Sequence, residues 1–172
     1  MNQAQTTPPV SEASKKVIVD HLNMRQANPQ EQEDMGMMQS WLFQIAENIY
    51  TQLICIEPRD DDLTLIMMTP IAIKPHDEVP IMASALAAAL SPVDIISLPD
   101  QLALRLIVRG NRNTIADLID ETIILFRHVA ESVCVPAVQL ASGDLNFQQA
   151  MEHALQALQK PSQSNQPTDQ QA

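Results

Sequence analysis

The chain has 172 residues, 45% of them hydrophobic, with only one Trp, one Tyr and three Phe, and a formal charge of −11. That length fits one domain able to bury a core without disulfide or metal staples. The acidic balance excludes docking on a nucleic-acid polymer, which needs a basic field to displace counterions, and equally disfavours an anionic membrane surface.

No N-terminal stretch joins a charged start, an apolar run and a small-residue cleavage site, so no secretion signal is expected. No apolar run approaches the ~20 residues that span a bilayer. Cys55 and Cys134 lie in apolar contexts and form no motif, which reads as two buried free thiols in a cytoplasmic protein. Residues 1–10 and 160–172 are polar and proline-punctuated and read as disordered tails around a single domain, 11–159.

In chain order, Ser11 to Ala27 has the spacing of a first helix, with Ser11 or Ser14 as its cap. The acidic stretch Gln26–Asp34, with Pro29, reads as a loop. Trp41, Phe43 and Ile45 alternate with Leu42, Gln44 and Ala46, which fits a strand, with a short helix as the alternative. Ile49–Ile56 and Leu63–Ile71 are further strands, joined by an acidic turn over Glu57–Asp62 that reads as a charged tip in water. Asp77 is placed to cap a helix running to Leu90, with Pro80 tolerated in its first turn. That helix is apolar almost all round, which predicts burial against its own sheet and against a second subunit, through Ile81, Met82, Ala85, Leu86 and Ala89. Val93–Leu98 and Leu102–Val108 form two more strands, turning through Pro99-Asp100. Thr114 with Asp117 resembles a capping box for a long helix ending before Pro136, and a last helix covers Leu145–Gln159. The order is helix, three strands, helix, two strands, helix, helix. This is an α+β fold with an antiparallel sheet of about five strands.

Catalytic templates each lack a required part. With three glycines, Gly36, Gly110 and Gly143, there is no P-loop and no dinucleotide fingerprint. His21, His76, His128 and His153 are scattered, with no metal-ligand spacing, and no metal or cofactor is expected. His76 beside Asp77 reads as a solvated helix start. His128 and Cys134 are six positions apart, which puts them on different helix faces. The run Glu57, Asp60, Asp61, Asp62 lacks the alternate ligands, central Gly and distal Glu of an EF-hand.

One cluster stands out. Arg105, Arg109 and Arg112 fall in a stretch, Gln101–Asn113, without a single acid. On a strand, Leu102, Leu104, Leu106 and Val108 share the inner face, while Arg105, Ile107 and Arg109 share the outer one over about 13 Å. Arg112 follows in the turn before a helix N-terminus. Guanidinium groups and helix N-termini both favour anions. Two readings stand: an anion site, or arginines paired with surplus Asp and Glu that keep an edge strand soluble.

The element order, carried by Ile49–Ile56, the acidic turn, Leu63–Ile71, Asp77–Leu90, the run Leu102–Arg109 and the helix from Thr114, resembles the fold shared by class I type III secretion chaperones and the YbjN family. Pro70 or Pro75 and Arg105 or Arg109 fit the places of that family's strand-end proline and its apolar-x-apolar-Arg strand. The resemblance covers about Trp41 to Leu140, and the acidic loop, the fourth helix and the polar tail depart from it. It implies a non-enzymatic, homodimeric module that binds a protein partner. It also implies a second role, as a receptor for the messenger cyclic di-GMP, a small nucleotide ligand that the Arg105-x-x-x-Arg109 spacing suits. Two functions are therefore expected to compete: an adaptor or chaperone-like protein, and a receptor in which the Arg face gates a protein contact.

Overall fold

The computed structural model describes residues 10–25, 27–32, 38–59 and 61–160. It is an α+β fold in the order α1 (Glu12–Met24), β1 (Gln30–Glu31), β2 (Met38–Ala46), β3 (Ile49–Arg59), β4 (Asp62–Ala72), α2 (Glu78–Leu90), β5 (Asp94–Leu98), β6 (Gln101–Gly110), α3 (Ile115–Ser142) and α4 (Phe147–Gln159). All strands pair antiparallel in one sheet of order β1-β2-β3-β4-β6-β5.

The sheet has six strands where five were expected. The extra one, β1, lies inside the stretch read as a loop and carries two exposed polar residues, so it has no hydrophobic alternation to announce it. It exists because Leu42 and Trp41 of β2 offer it pairing partners. Over 41–46 the chain is strand, and Trp41, Phe43 and Ile45 point into the core as their alternation predicts.

One sheet face is covered by helices. The side chains of Trp41, Phe43, Leu53, Cys55, Leu65, Met67, Leu102, Leu104 and Leu106 form this inner face. Thr51 and Thr69, opposite each other on β3 and β4 and fully buried, bond through their hydroxyls. The central helix is α3, which touches β2, β4, β6 and every other helix. Its buried stripe runs from Ile115 through Phe126 and Val133 to Leu140.

Several local expectations are corrected. α3 does not stop before Pro136 but runs on to Ser142. The proline removes one N–H, a cost that tertiary burial of Pro136, Ala137 and Leu140 offsets. The helix ends where Gly143 takes φ 82° and the N–H groups of Gly143 and Asp144 donate to the carbonyls of Leu140 and Gln139. With 28 residues and a mean hydropathy of 1.4 over its most apolar window, α3 is long and apolar enough to cross a membrane, against the expectation of no such stretch. Over half of that window is buried within the domain, as a core helix requires.

Neither Asp77 nor Thr114 caps its helix with its side chain. His76 Nδ1 accepts from the Glu78 N–H instead, and Asn111 Oδ1 accepts from the N–H groups of Asn113 and Thr114. The capping box is on α4, where Asn146 and Gln149 bond reciprocally. At α1, Ser11 is the cap, as expected. Val10 is buried in the core and so belongs to the domain. The remaining tail residues, 1–9 and 161–172, and Asp60 of the acidic turn lie outside the described residues, as do Gln26, Glu33 and Asp34 of the acidic stretch.

Candidate functional site

Strand parity puts Arg105, Ile107 and Arg109 on the outer face of β6, but the three arginines do not form one cluster. Arg105 lies opposite Asp94 of β5, and its Nε and Nη2 donate to Asp94 Oδ2 at 3.1 and 2.7 Å. Both groups are substantially exposed, so the pair is a weak contributor to stability. Arg109 is exposed beside Thr64 of β4, and makes no hydrogen bond or ion pair among the described residues.

Arg112 is on the other side of the sheet. Its backbone N–H donates to Asp61 Oδ1 at 2.9 Å, Nε donates to Ser14 Oγ at 3.1 Å, and Nη2 donates to Glu57 Oε1 at 3.2 Å. Its charge serves a buried carboxylate and does not join an anion site with the other two.

That carboxylate overturns the reading of the turn as a tip in water for Glu57, while Pro58, Arg59 and Asp62 are exposed as expected. Glu57 and Arg59 belong to β3, and Glu57 is only 2% exposed. It also receives the Ser11 N–H at 2.7 Å, the hydroxyls of Ser11 and Ser14 at 3.3 and 3.1 Å, and the Asp61 N–H at 3.3 Å. Burial by itself would raise its pKa. The bonds from Ser11, Arg112 and Asp61 outweigh that and hold the carboxyl below its ordinary range. Parity was the available signal, since residue 57 falls on the same side as the buried 51, 53 and 55. At the other end of α1, Arg25 Nε and Nη2 donate to Asp120 of α3 at 2.8 and 2.6 Å, with His21 Nδ1 3.6 Å away. The Arg25 hydrogen bonds hold the Asp120 carboxyl low.

Among the described residues, no helix covers the outer face of the sheet. Across its middle, Ile54 of β3, Ile66 of β4 and Ile107 of β6 stand in one register row. The row spans about 10 Å at the usual strand spacing. Ile56 and Met68 flank it, Tyr50 stands farther along β3, and Ile107 and Tyr50 are 45% and 55% exposed. The acids of this face, Asp62 and Asp94, sit at its margins, each at a strand end. The expected subunit surface on α2 divides in two. Met82 and Leu86 are buried in the chain's own core, whereas Ile81, Ala85 and Ala89 face outward, with Ile81 57% exposed.

The groups considered for chemistry are engaged structurally. His128 Nε2 lies 3.3 Å from the Leu158 carbonyl oxygen and joins α3 to α4. Burial pushes both thiols, Cys55 and Cys134, up to about 12, which leaves them protonated and unreactive. Among the described residues, no three of the His, Cys, Asp and Glu side chains are grouped to hold a metal ion.

Fold and surface together define a class: an α+β domain with helices on one side of its sheet and an apolar, acid-poor face on the other. No family model matches the chain, and no curated protein or solved structure matches it either.

Proposed function

We propose that this chain is a non-enzymatic, homodimeric binding module that holds a protein partner against the open face of its sheet. The observation that carries this reading is the partly exposed row Ile54–Ile66–Ile107, an apolar strip on a chain of net charge −11. Contiguous apolar surface rimmed by polar groups marks sites where another protein is seated. A partner helix with apolar residues at i, i+4 and i+7 spans about 10 Å along its axis, which matches the row. An acid on its flank would find Arg109. The outward side of α2, Ile81, Ala85 and Ala89, is the surface for the second subunit, where small residues permit close approach. The same activity is what the resemblance to the YbjN and chaperone families implies.

The test is affinity purification from the native cell with the wild-type chain and with Ile66→Lys/Ile107→Lys, alongside light scattering of Ala85→Arg. Loss of a reproducible partner from the sheet variant, with its melting temperature kept, supports the reading, as does a monomeric Ala85→Arg. An unchanged partner set would overturn it.

A second reading, a receptor for an anionic messenger such as cyclic di-GMP, draws on Arg109 standing free on the same face as Arg105. It must displace Asp94 and do without Arg112. Calorimetry with cyclic di-GMP, against Arg109→Ala, decides it: no heat removes this reading.

A further inference from the structure

The sheet also carries a bare strand edge inside a cleft, on the side away from β5. Strand β1 pairs with β2 only at Gln30↔Leu42 and Glu31↔Trp41. Before Gln30 the chain cannot continue that ladder. Asn28 takes a left-handed φ of 45°, which turns the backbone away. Strand β2 nevertheless continues to Ala46, so its outer edge beyond Leu42 has no strand neighbour among the described residues.

The direction of the backbone groups follows from the Gln32 N–H, which donates to the Ser40 carbonyl. Alternate residues of a strand point their N–H and C=O to the same edge, so Leu42 and Gln44 also point outward. Leu42 meets Gln30, whereas Gln44 meets nothing from β1. A bulge between Gln44 and Ala46 then takes the Ile45 carbonyl out of the β2–β3 ladder, and Arg127 Nε of α3 donates to it at 2.6 Å. That single bond occupies Nε; the two Nη nitrogens make no hydrogen bond or ion pair among the described residues. The space beside this edge is a cleft of about 490 Å³ bounded by Asn28, Gln30, Gln44, Tyr50, Arg127 and Glu131. Clefts of this size hold small ligands or a few residues of chain.

We infer that this cleft takes an extended, acid-bearing peptide segment of a partner protein, which adds as a strand to β2 where β1 leaves off. One ligand residue occupies the place opposite Gln44 that Asn28 vacates. It exchanges two backbone hydrogen bonds with Gln44, and its side chain points to the outer face beside Tyr50. Its neighbour in the ligand points to the helix side, where the free Nη groups of Arg127 meet a carboxylate in a charge-assisted pair. Glu131, one helical turn on from Arg127, repels a second acid and so limits the ligand to one at that end. Main-chain bonds supply the affinity and the alternate side chains the selectivity, as in strand addition generally. The site meets the outer face only at Tyr50 and uses none of Ile54, Ile66 and Ile107, so it stands or falls without that row.

The experiment titrates the isotopically labelled full chain with N-acetyl-Thr-Asp-Val-Thr-Val-amide and with its counterpart carrying Lys for Asp, followed by amide NMR. Binding with a dissociation constant of about 1 mM is expected, the strength of a few hydrogen bonds and one ion pair. Shifts should concentrate on Asn28, Gln44, Ile45 and Ala46, and the Lys peptide should bind at least about tenfold more weakly. Gln44→Pro removes the outward N–H and leaves the groups facing β3 untouched, so it should fold and lose the binding. Arg127→Gln keeps an amide for the Ile45 carbonyl and should bind both peptides alike. Ile66→Lys should bind as the wild type does, which separates failure here from failure of the open-face reading. Absence of shifts up to about 10 mM peptide, shifts confined to the open face, or full binding by Gln44→Pro would each overturn the inference.

Discussion

Glu57 shows how one side chain can organise three parts of a chain. Its carboxylate joins the start of α1, the turn after β3 and the turn before α3, through Ser11, Asp61 and Arg112. A buried carboxylate is costly without partners and stabilising only while all are present. Glu57→Gln keeps the size of the side chain but not its charge, and leaves the Arg112 guanidinium without its buried counter-charge. A loss of about 2–3 kcal/mol in urea unfolding is expected. The substitution should also flatten the pH dependence. Since the folded carboxyl sits below its unfolded value, its stabilisation is present above an unfolded pKa of about 4 and is lost as pH falls through the folded value. Unfolding free energies of wild type and variant, measured from neutral pH down to pH about 3, should therefore converge at the acid end. Equal differences at all pH values would contradict this account.

Among the elements, β2, β3, β4 and β6 were legible because a period of two is a local signal that survives without tertiary knowledge. Their alternation also placed Arg105 and Arg109 correctly on one face. Strand β1 was not legible, since two polar residues become a strand only when β2 lies beside them. The Arg105–Asp94 pair was within reach: a two-residue turn at Pro99-Asp100 sets Leu98 against Gln101 and hence Asp94 against Arg105. Arg112 was not, because its partners Ser14 and Glu57 are 98 and 55 residues away. Pro136 misled because burial of a long stripe overrides a local breaker. The helix starts teach a similar lesson, since several residues near each one could cap and tertiary geometry selects among them. Asn146→Ala should cost about 1 kcal/mol, because it breaks a reciprocal cap. Asp77→Ala should cost no more than about 0.5 kcal/mol, the residual effect of an acid near a helix start. Thermal melts of the two variants side by side decide it, and equal losses would refute the assignment.

On the scale of the whole molecule, the domain is asymmetric: among the described residues, helices bury one side of the sheet, and the other side, the β2 edge beyond Leu42 and the outer side of α2 are uncovered. On the proposed reading, the residues that hold the fold are thereby separate from those that bind. Substitutions at Ile66, Ile107, Ala85 or Gln44 should therefore change association with little change in melting temperature, whereas those at Met82 or Leu86 should chiefly destabilise.

Helix α1 is attached differently from the rest. It packs on α3, and a carboxylate fastens each end, Glu57 at the start and Asp120 at the finish, both reaching it from distant parts of the chain. Docking it closes a long loop for few apolar contacts, chiefly Val10, Ile18 and Leu22, which marks it as a cooperative unit of lower stability than the sheet. Both fastenings weaken in acid by the same sign rule, since both carboxyls are held low in the folded chain. As pH falls from about 4 through the lowered folded values of the two carboxyls, the helix should open before the sheet does. Amide hydrogen exchange, corrected for its own pH dependence, should then show α1 losing protection ahead of β3, β4 and β6. Simultaneous loss would mean that the helix and sheet unfold as one.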